Sequence, residues 1–485
     1  MAARSGNKRA APAWLVACLT CVVGGALPAC GGNGGSGVGP ISWPTLAPGD
    51  RYFETGGRLA PLFLRNVSAP SPGELSPLLA DARAAGTTVV RLQLTQGFGY
   101  ETLGITSAGG VLAPFATAWD AVISDAAARG LAVIPVFAIW GDWNDGTPAL
   151  GWTHFDANPL NTTKGGPAAA PADLFVEGSE TQRRWLGWLS ALVARWSARP
   201  NILAWETFSE LDLATGANQE NATAFARHAR DVVRAADPQA RPVFASTSDL
   251  PLISRQPWRD FWASDATDIV SLHTYDADLD RAVVARATAA LQITNKPVLL
   301  GESGLDAAAP DGTTITTSTG AAVGLESAIW AELFSGVATA RALYWEDGYA
   351  VYYPASGLPL VRARKDLERR ASAWLADKDL RGLAPLAISG APALFGVALG
   401  GQDRVLGWAR NDRLASPSWN AAPLDAANVA VTLPSGAANG SWTIELTLPD
   451  DGTSATVEGA SRDGVLTFPV AMSFNRVAFA AARLP

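Results

Sequence analysis

Cysteine is almost missing from this sequence and wholly missing after position 30, since the three present are Cys18, Cys21 and Cys30. The long remainder can therefore contain neither disulfides nor thiolate metal sites. Histidine is as scarce: His154, His228 and His273 are the only three, and they fall at no metal-ligand spacing. Zinc chemistry is not expected, and no metal or other cofactor is implied. A Gly-x-Ser-x-Gly elbow is missing, which removes the usual frame of a serine triad. Positive charge is in deficit, with 37 Lys and Arg against 45 Asp and Glu, a net charge of -8 and a pI near 5.1. Without a basic surplus to neutralise phosphates, nucleic acid is excluded as a partner, and neutral or weakly charged ligands fit better. Beyond the N-terminus no apolar run is long enough to span a membrane.

What the chain does have is bulk and apolar content. Its 485 residues, 48% of them hydrophobic, with a mean hydropathy of +0.11, suit one large domain with a smaller companion and a sizeable core. Eighteen tryptophans are many. Most belong in a core of this size, while the rest could offer indole faces to the apolar C–H faces of sugars. The N-terminus carries Arg4, Lys8 and Arg9, then the apolar Trp14 to Leu27, then Leu27-Pro28-Ala29-Cys30, which resembles the lipobox of bacterial lipoprotein signals. Residues 1–29 are expected to be a signal peptide, Cys30 the lipidated residue, and 30–47 a Gly-rich tether. An ordinary secretory signal would export the chain as well. The expectation is an exported cell-envelope lipoprotein, on the outer surface or in the periplasm, that is a monomer and touches the membrane only through its anchor.

From 48 to 380, apolar strand candidates alternate with amphipathic helical stretches, the pattern of a parallel sheet with crossover helices. The strands are expected at 62–67, 87–94, 131–138, within 201–212, 242–246, 268–273, 298–302 and 341–345. Eight such units point to a (β/α)8 barrel, although an open doubly wound sheet has the same alternation. No Gly-x-Gly-x-x-Gly turn follows the first strand, which argues against the open sheet. The connection from Trp140 to Glu180 is much the longest, and its aromatics Trp140, Trp143, Trp152 and Phe155 are expected to wall one side of a cleft on the barrel's top face. From 381 to 485 short alternating runs separated by Gly, Pro, Asp and Asn suggest a β-sandwich. It reads either as a structural appendage packed on the barrel or as a sugar-binding module. Trp408 and Trp442 sit mid-strand, where a core would want them.

Two stretches carry the candidate chemistry. Asn201 to Asp212 reads as a buried strand delivering Glu210 to its C-terminal end, and Lys296 to Gly304 delivers Glu302 in the same way, which is where barrel enzymes keep their chemistry. Two carboxylates so presented suggest an acid and a nucleophile, the pair that cleaves a glycosidic bond. The two-residue period puts Glu206, Phe208 and Glu210 on one face. Glu206 lies deeper and needs a buried cation, for which Arg91 on the second strand is the candidate. In Ser271-Leu272-His273-Thr274-Tyr275, His273 and Tyr275 share a face near Glu302, and Tyr275 could donate to it. Trp345, at the end of the eighth strand, could stack under a sugar ring or simply pack in the core.

Trp205-Glu206-Thr207-Phe208-Ser209-Glu210-Leu211-Asp212 resembles the Trp-Glu-x-x-Asn-Glu-x-Asp strand of bacterial clan A glycoside hydrolases similar to family 5, the cellulase- and mannanase-like enzymes. Ala194-Arg195-Trp196, the loop from Asn158-Pro159 to Gly165-Gly166-Pro167, His273-x-Tyr275, Gly301-Glu302-Ser303-Gly304 and Trp330 to Trp345 resemble the same group, so the likeness spans nearly the whole barrel. It implies that Glu210 is the acid/base, Glu302 the nucleophile, and Arg91, His273, Tyr275 and Trp345 site residues, with Trp140 and Ser209 facing substrate. It also implies retention of anomeric configuration on a β-mannan, a β-glucan or a smaller β-glycoside. Ser209 departs from the pattern, because the family's asparagine there bonds the sugar 2-hydroxyl. Water fills the gap, the substrate's 2-position differs, or activity is reduced. The second reading is a catalytically degenerate carbohydrate-binding surface lipoprotein.

Overall fold

The structure, a computed structural model, describes residues 42–47, 49–67, 72–94, 104–145, 155–249, 258–304, 319–343, 365–415 and 419–485. The expected signal peptide, Cys30, most of the tether, Trp152, His154 and Trp345 lie outside the described residues.

Three short antiparallel strands, Thr45–Leu46, Phe53–Thr55 and Arg58–Ala60, precede the barrel. The barrel strands are β1 (Leu62–Val67), β2 (Val89–Gln93), β3 (Ala132–Val136), β4 (Trp205–Glu206), β5 (Val243–Phe244 continued by Ser246–Asp249), β6 (Val270–Tyr275), β7 (Val298–Gly304) and β8 (Thr339–Ala340). The helices are α1 (Leu75–Ala84), α2 (Ala113–Ala128), α3 (Glu180–Trp196), α4 (Gln219–Ala236), α5 (Arg259–Ala263), α6 (Leu279–Ile293), α7 (Thr319–Phe334) and α8 (Lys365–Leu375). Every residue of β1, β2 and β3 is buried, since helices cover one face and the barrel interior the other, and for that reason these runs are apolar without strict alternation.

Neighbouring strands pair in parallel from β8 through β1 to β5, and from β5 through β6 to β7. The ring closes between β7 and β8, where Ser303 N–H donates to Ala342 O at 2.7 Å and Ala338 N–H donates to Val298 O at 2.7 Å. An open doubly wound sheet would leave those edges apart, so the fold is the (β/α)8 barrel that the element order suggests.

The helices follow from local signals. Ser179 caps α3 by accepting from Gln182 N–H at 3.0 Å, and Asn218 and Asn221 cap α4 reciprocally, each side chain accepting from the other's backbone N–H. Trp185, Trp188, Leu189, Leu192 and Trp196 recur at helical spacing on α3 and are all buried against the barrel.

The fourth strand is regular over a short part of the 201–212 stretch. Beyond Glu206 the pairing goes on irregularly, Thr207 N–H donating to Phe244 O and Ser209 N–H to Ala138 O, both at 2.8 Å, while Phe208 turns outward to meet Phe225 of α4 edge-on at 6.2 Å between ring centroids. The shared face expected for Glu206, Phe208 and Glu210 is therefore incorrect, because period-two alternation holds only while the strand stays regular.

The all-β domain comprises β9 (Ala384–Leu386), β10 (Ile388–Ala391), β11 (Leu394–Gly400), β12 (Arg404–Asn411), β13 (Ala427–Thr432), β14 (Gly440–Thr447), β15 (Ser454–Arg462), β16 (Val465–Val470) and β17 (Arg476–Arg483). They form one antiparallel nine-stranded sheet in the order β9-β11-β12-β17-β14-β15-β16-β13-β10. The two layers expected of a sandwich belong to this single sheet curling upon itself. Its edge strand β10 lies over β11, so closely that a Cβ on Gly396 would sit 3.0 Å from Ile388 Cγ2. Trp442 is buried with Val429, Ile444, Leu466 and Phe468 in the core this curl encloses, whereas Trp408 packs into the core shared with the barrel.

Trp442 is completely buried, so Trp442→Ala should lower the unfolding free energy by about 3–5 kcal/mol, read from urea denaturation. A loss below about 1 kcal/mol would mean that the site collapses freely and the β core is not close-packed.

Candidate active site

Side chains that face the barrel interior at the C-terminal ends of β1, β2, β6 and β7 converge on one cluster. Arg91 is its centre. The guanidinium is completely buried and grips Glu206 bidentately, with Nε donating to Oε2 at 2.6 Å and Nη2 to Oε1 at 2.8 Å. The same group reaches Glu302 Oε1 at 2.6 Å through Nη1 and Ser209 Oγ at 2.8 Å through Nη2. The partner expected for Glu206 is thus the one observed. A bidentate pair is the strongest geometry for a buried carboxylate, and the two acids hold Arg91 well above the ordinary arginine range, fully charged.

Glu302 owes its position to an irregularity. The register between β6 and β7 shifts after Leu272, so that His273 pairs with Glu302 and Gly301 has no partner. Such bulges re-aim a side chain at the end of a strand. Glycine is required there, because a Cβ would lie 2.7 Å from Ser271 Oγ and 2.9 Å from His273 Nε2. Around the Glu302 carboxylate stand Arg91, the Tyr275 hydroxyl donating to Oε2 at 2.7 Å, Gln93 Nε2 at 3.3 Å and His273 Nδ1 at 3.5 Å.

Glu210 is held differently. It sits in the left-handed region at φ 57, ψ 53, an uncommon conformation for a residue with a side chain. Ser246 Oγ accepts its backbone N–H at 3.1 Å, and the same hydroxyl donates to Glu206 Oε1 at 2.7 Å. This local turn brings Glu210 to the cluster after regular alternation has ended. Its carboxylate meets His273 Nδ1 at 3.0 Å and takes a hydrogen bond from the Trp140 side chain. One oxygen from each of Glu210 and Glu302 and one ring nitrogen of His273 lie within 4.8 Å of one another. Both carboxyl groups are nearly covered, at 8% and 4% exposure, yet neither is sealed off.

Burial raises both acids, but their surroundings differ. Glu210 is pushed to about 7 by desolvation, opposed by the more distant Arg91 charge and the Trp140 hydrogen bond. Desolvation also raises Glu302, against the pull of His273, Arg91 and Tyr275. The groups on Glu302 include a permanent cation and a hydroxyl, all arranged to donate, and such a shell opposes the rise that burial imposes. Two carboxylates this close do not readily ionise together, and a neighbouring acid adds to each rise, Glu206 for Glu210 and Glu210 for Glu302. Burial lowers His273, which stays neutral. Glu210, His273 and Glu302 are also the one group among the described residues with metal-ligand spacing, but a cation there would face the Arg91 guanidinium at close range.

Arg91, Ser209, Glu210, His273, Tyr275 and Glu302 are brought together, and Trp140 touches the cluster through Glu210. Trp143 and Phe155, expected to wall the cleft, instead pack on each other at 6.0 Å beneath the loop and are buried. His228 lies on α4 with Nε2 3.6 Å from Glu177, apart from the cluster. Asn66, Gln93 and Ser246 belong to the site and were not anticipated. Asn66 accepts from Arg91 at 3.0 Å and donates to Gly301 O and Ala342 O at 2.9 and 3.1 Å, tying β1 to β7 and the segment after β8. Its signal was a lone amide inside the apolar β1, and that of Gln93 its place two residues beyond Arg91. Ser246 carried no signal of its own.

No protein-family model and no curated protein matches the sequence. Solved structures do. A candidate glycoside hydrolase from Bacteroides vulgatus superposes with a TM-score of 0.56 at 12% identity, covering 92% of this chain and 83% of that one. The two share a fold. A glucosidase from Croceicoccus marinus matches at 15% identity and TM-score 0.49, over 92% of this chain and 100% of that one. An endo-beta-1,4-mannanase from Thermotoga petrophila matches at 13% identity and TM-score 0.43, over 86% and 92%.

Behind the cluster Ser303 Oγ donates to Glu332 of α7 at 3.0 Å, and burial raises Glu332 to about 7, like Glu210. A carboxyl whose pKa folding has raised keeps a proton that the unfolded chain has already lost. Each of these two therefore subtracts stability as pH climbs from 4.5 to about 7, with no further change above. Glu332→Gln should flatten that decline in urea denaturation measured across pH 4 to 8, an order-of-magnitude window set by the same linkage. An unchanged slope would show that folding leaves Glu332 titrating as it does in the unfolded chain.

Proposed function

We propose that this protein is a retaining glycoside hydrolase that cleaves β-glycosidic bonds in a polysaccharide or oligosaccharide of the β-mannan or β-glucan class. The observation that carries the reading is the pairing of Glu210 and Glu302, with carboxylate oxygens within 4.8 Å of each other and unlike hydrogen-bond shells. Inverting enzymes need about 6.5–9.5 Å between carboxyl groups to admit a water, whereas retaining ones work at about 5–5.5 Å. The shared fold with a candidate glycoside hydrolase supports the same class.

In this mechanism Glu302 Oε attacks the anomeric carbon while Glu210 gives its proton to the departing glycosidic oxygen. A glycosyl ester on Glu302 and a free alcohol result. Glu210, now a carboxylate, takes a proton from water as that water's oxygen attacks the anomeric carbon and Glu302 leaves. The second displacement restores both groups and the original configuration. Arg91 and Tyr275 keep Glu302 ionised and fixed in orientation, and the desolvated Glu210 retains its proton near neutrality. Export as a lipoprotein anchored through Cys30, with the catalytic domain at 48–380 and the β domain at 381–485, is part of the same proposal, as is action as a monomer.

Wild type, Glu302→Gln and Glu210→Gln should be assayed on a panel of β-glycans, with product anomers followed by NMR. The wild type should release the β anomer first. Glu210→Gln should lose about 10²–10⁴-fold in kcat, together with the alkaline limb that Glu210 sets near pH 7. Initial release of the α anomer, or full activity in Glu302→Gln, would overturn the mechanism. A wild type that is inactive on every glycan yet retained by one of them in affinity electrophoresis would establish the carbohydrate-binding alternative.

A further inference from the structure

The all-β domain is joined to the barrel at the root of the turn that follows Tyr275. Arg410 on β12 is completely buried, and its Nε meets Asp280 Oδ2 at 2.5 Å while Nη2 meets Asp280 Oδ1 at 3.2 Å and Asp278 Oδ1 at 3.5 Å. The guanidinium lies between Phe395, 4.9 Å from its ring centroid, and Trp419, at 5.6 Å. A rigid planar fork held between aromatic faces has little freedom left, so the aspartates fixed to it are fixed too.

Those aspartates open α6, only a few residues beyond Tyr275. Two hydrogen bonds hold the chain between them. Asp278 N–H donates to Asp276 Oδ1 at 3.0 Å, and Asp276 N–H donates to Gly304 O at 3.2 Å, across to the exit of β7. Arg281 adds a second attachment, bonding Asp278 at 3.1 Å and the β domain's Asp412, with its guanidinium 4.3 Å from the Phe395 centroid. Tyr275, whose hydroxyl is 2.7 Å from Glu302, stands at the end of this clamped turn. A second interdomain pair, Arg476 with Glu326 of α7 at 2.9 Å, touches no catalytic strand exit.

We propose that Arg410 is a positioning residue for the reaction at Glu210 and Glu302, holding the β6 exit so that the Tyr275 hydroxyl stays on Glu302. The all-β domain then contributes to the chemistry without touching substrate. This rests on the hydrolase reading above, and the experiment separates the two.

Arg410→Lys keeps the charge and removes the fork, and Arg410→Met removes both, while Arg476→Lys is the control for a weakened interface. In the full-length enzyme below its melting temperature, Arg410→Lys should lose about tenfold to a hundredfold in kcat with KM nearly unchanged. Its acidic limb should move to higher pH, as in Tyr275→Phe, because Glu302 loses a donor to its ionised form. Adding Arg410→Lys to Tyr275→Phe should cost little more, since both act through the same hydroxyl. Hydrogen exchange at the amides of 276–280 should quicken in Arg410→Lys and not in Arg476→Lys. Should Arg410→Met fail to fold, Arg410→Lys still decides. A lowered melting temperature with kcat and the acidic limb unchanged, an additive double variant, or unchanged exchange at 276–280 would overturn the proposal. An inactive wild type would defeat the hydrolase reading instead, and the exchange measurement would still test the clamp.

Discussion

One guanidinium sets the terms for the barrel's top. Arg91 is completely buried and must be paired, and the fold pairs it twice, with Glu206 on the strand two places along and with Glu302 across the barrel. Removing Arg91 would leave two buried carboxylates without their cation, a change that costs several kcal/mol. Asn66, Ser209 and Ser246 are placed by the same demand, since each satisfies a remaining donor or acceptor of this network. The network that makes the buried charge tolerable also fixes the Glu302 carboxylate in place.

Around that anchor two similar side chains become unlike. Glu302 receives a fixed cation and a hydroxyl, whereas Glu210 receives an indole and a neutral imidazole. Burial raises both, and the donors that oppose the rise differ between them. Backbone irregularity delivers them. The unpaired Gly301 aims Glu302, and the left-handed turn at Glu210 turns that side chain inward after Phe208 has gone outward. Strain of this kind persists only where surrounding hydrogen bonds enforce it, here through Ser246.

The barrel and the all-β domain are joined by more than apolar contact. Arg410 and Arg476 both leave the β sheet to meet acids on α6 and α7, and Trp419 lies so close to α7 that a Cβ on Gly324 would fall 2.6 Å from its ring. Charged groups buried at such a junction stabilise less than apolar packing would, and each requires its partner in place. A site whose tyrosine lies beside the junction benefits from that restriction.

The sequence alone determined the architecture and most of the site. Apolar runs alternating with amphipathic stretches marked strands and helices, because burial on both faces of a strand is a local property. Arg91 was legible as the partner of Glu206 since a buried acid requires a cation, and Glu210, Glu302, His273 and Tyr275 were legible from their places at strand exits. Tertiary structure decided what spacing cannot express. Whether Trp143 and Phe155 face a cleft or each other depends on how a long loop folds back, and Phe208 departs from its expected face because the pairing beyond Glu206 is irregular. Asn66 and Ser246 matter only through atoms distant in the chain, whose hydrogen-bonding needs appear once eight strands close into a ring.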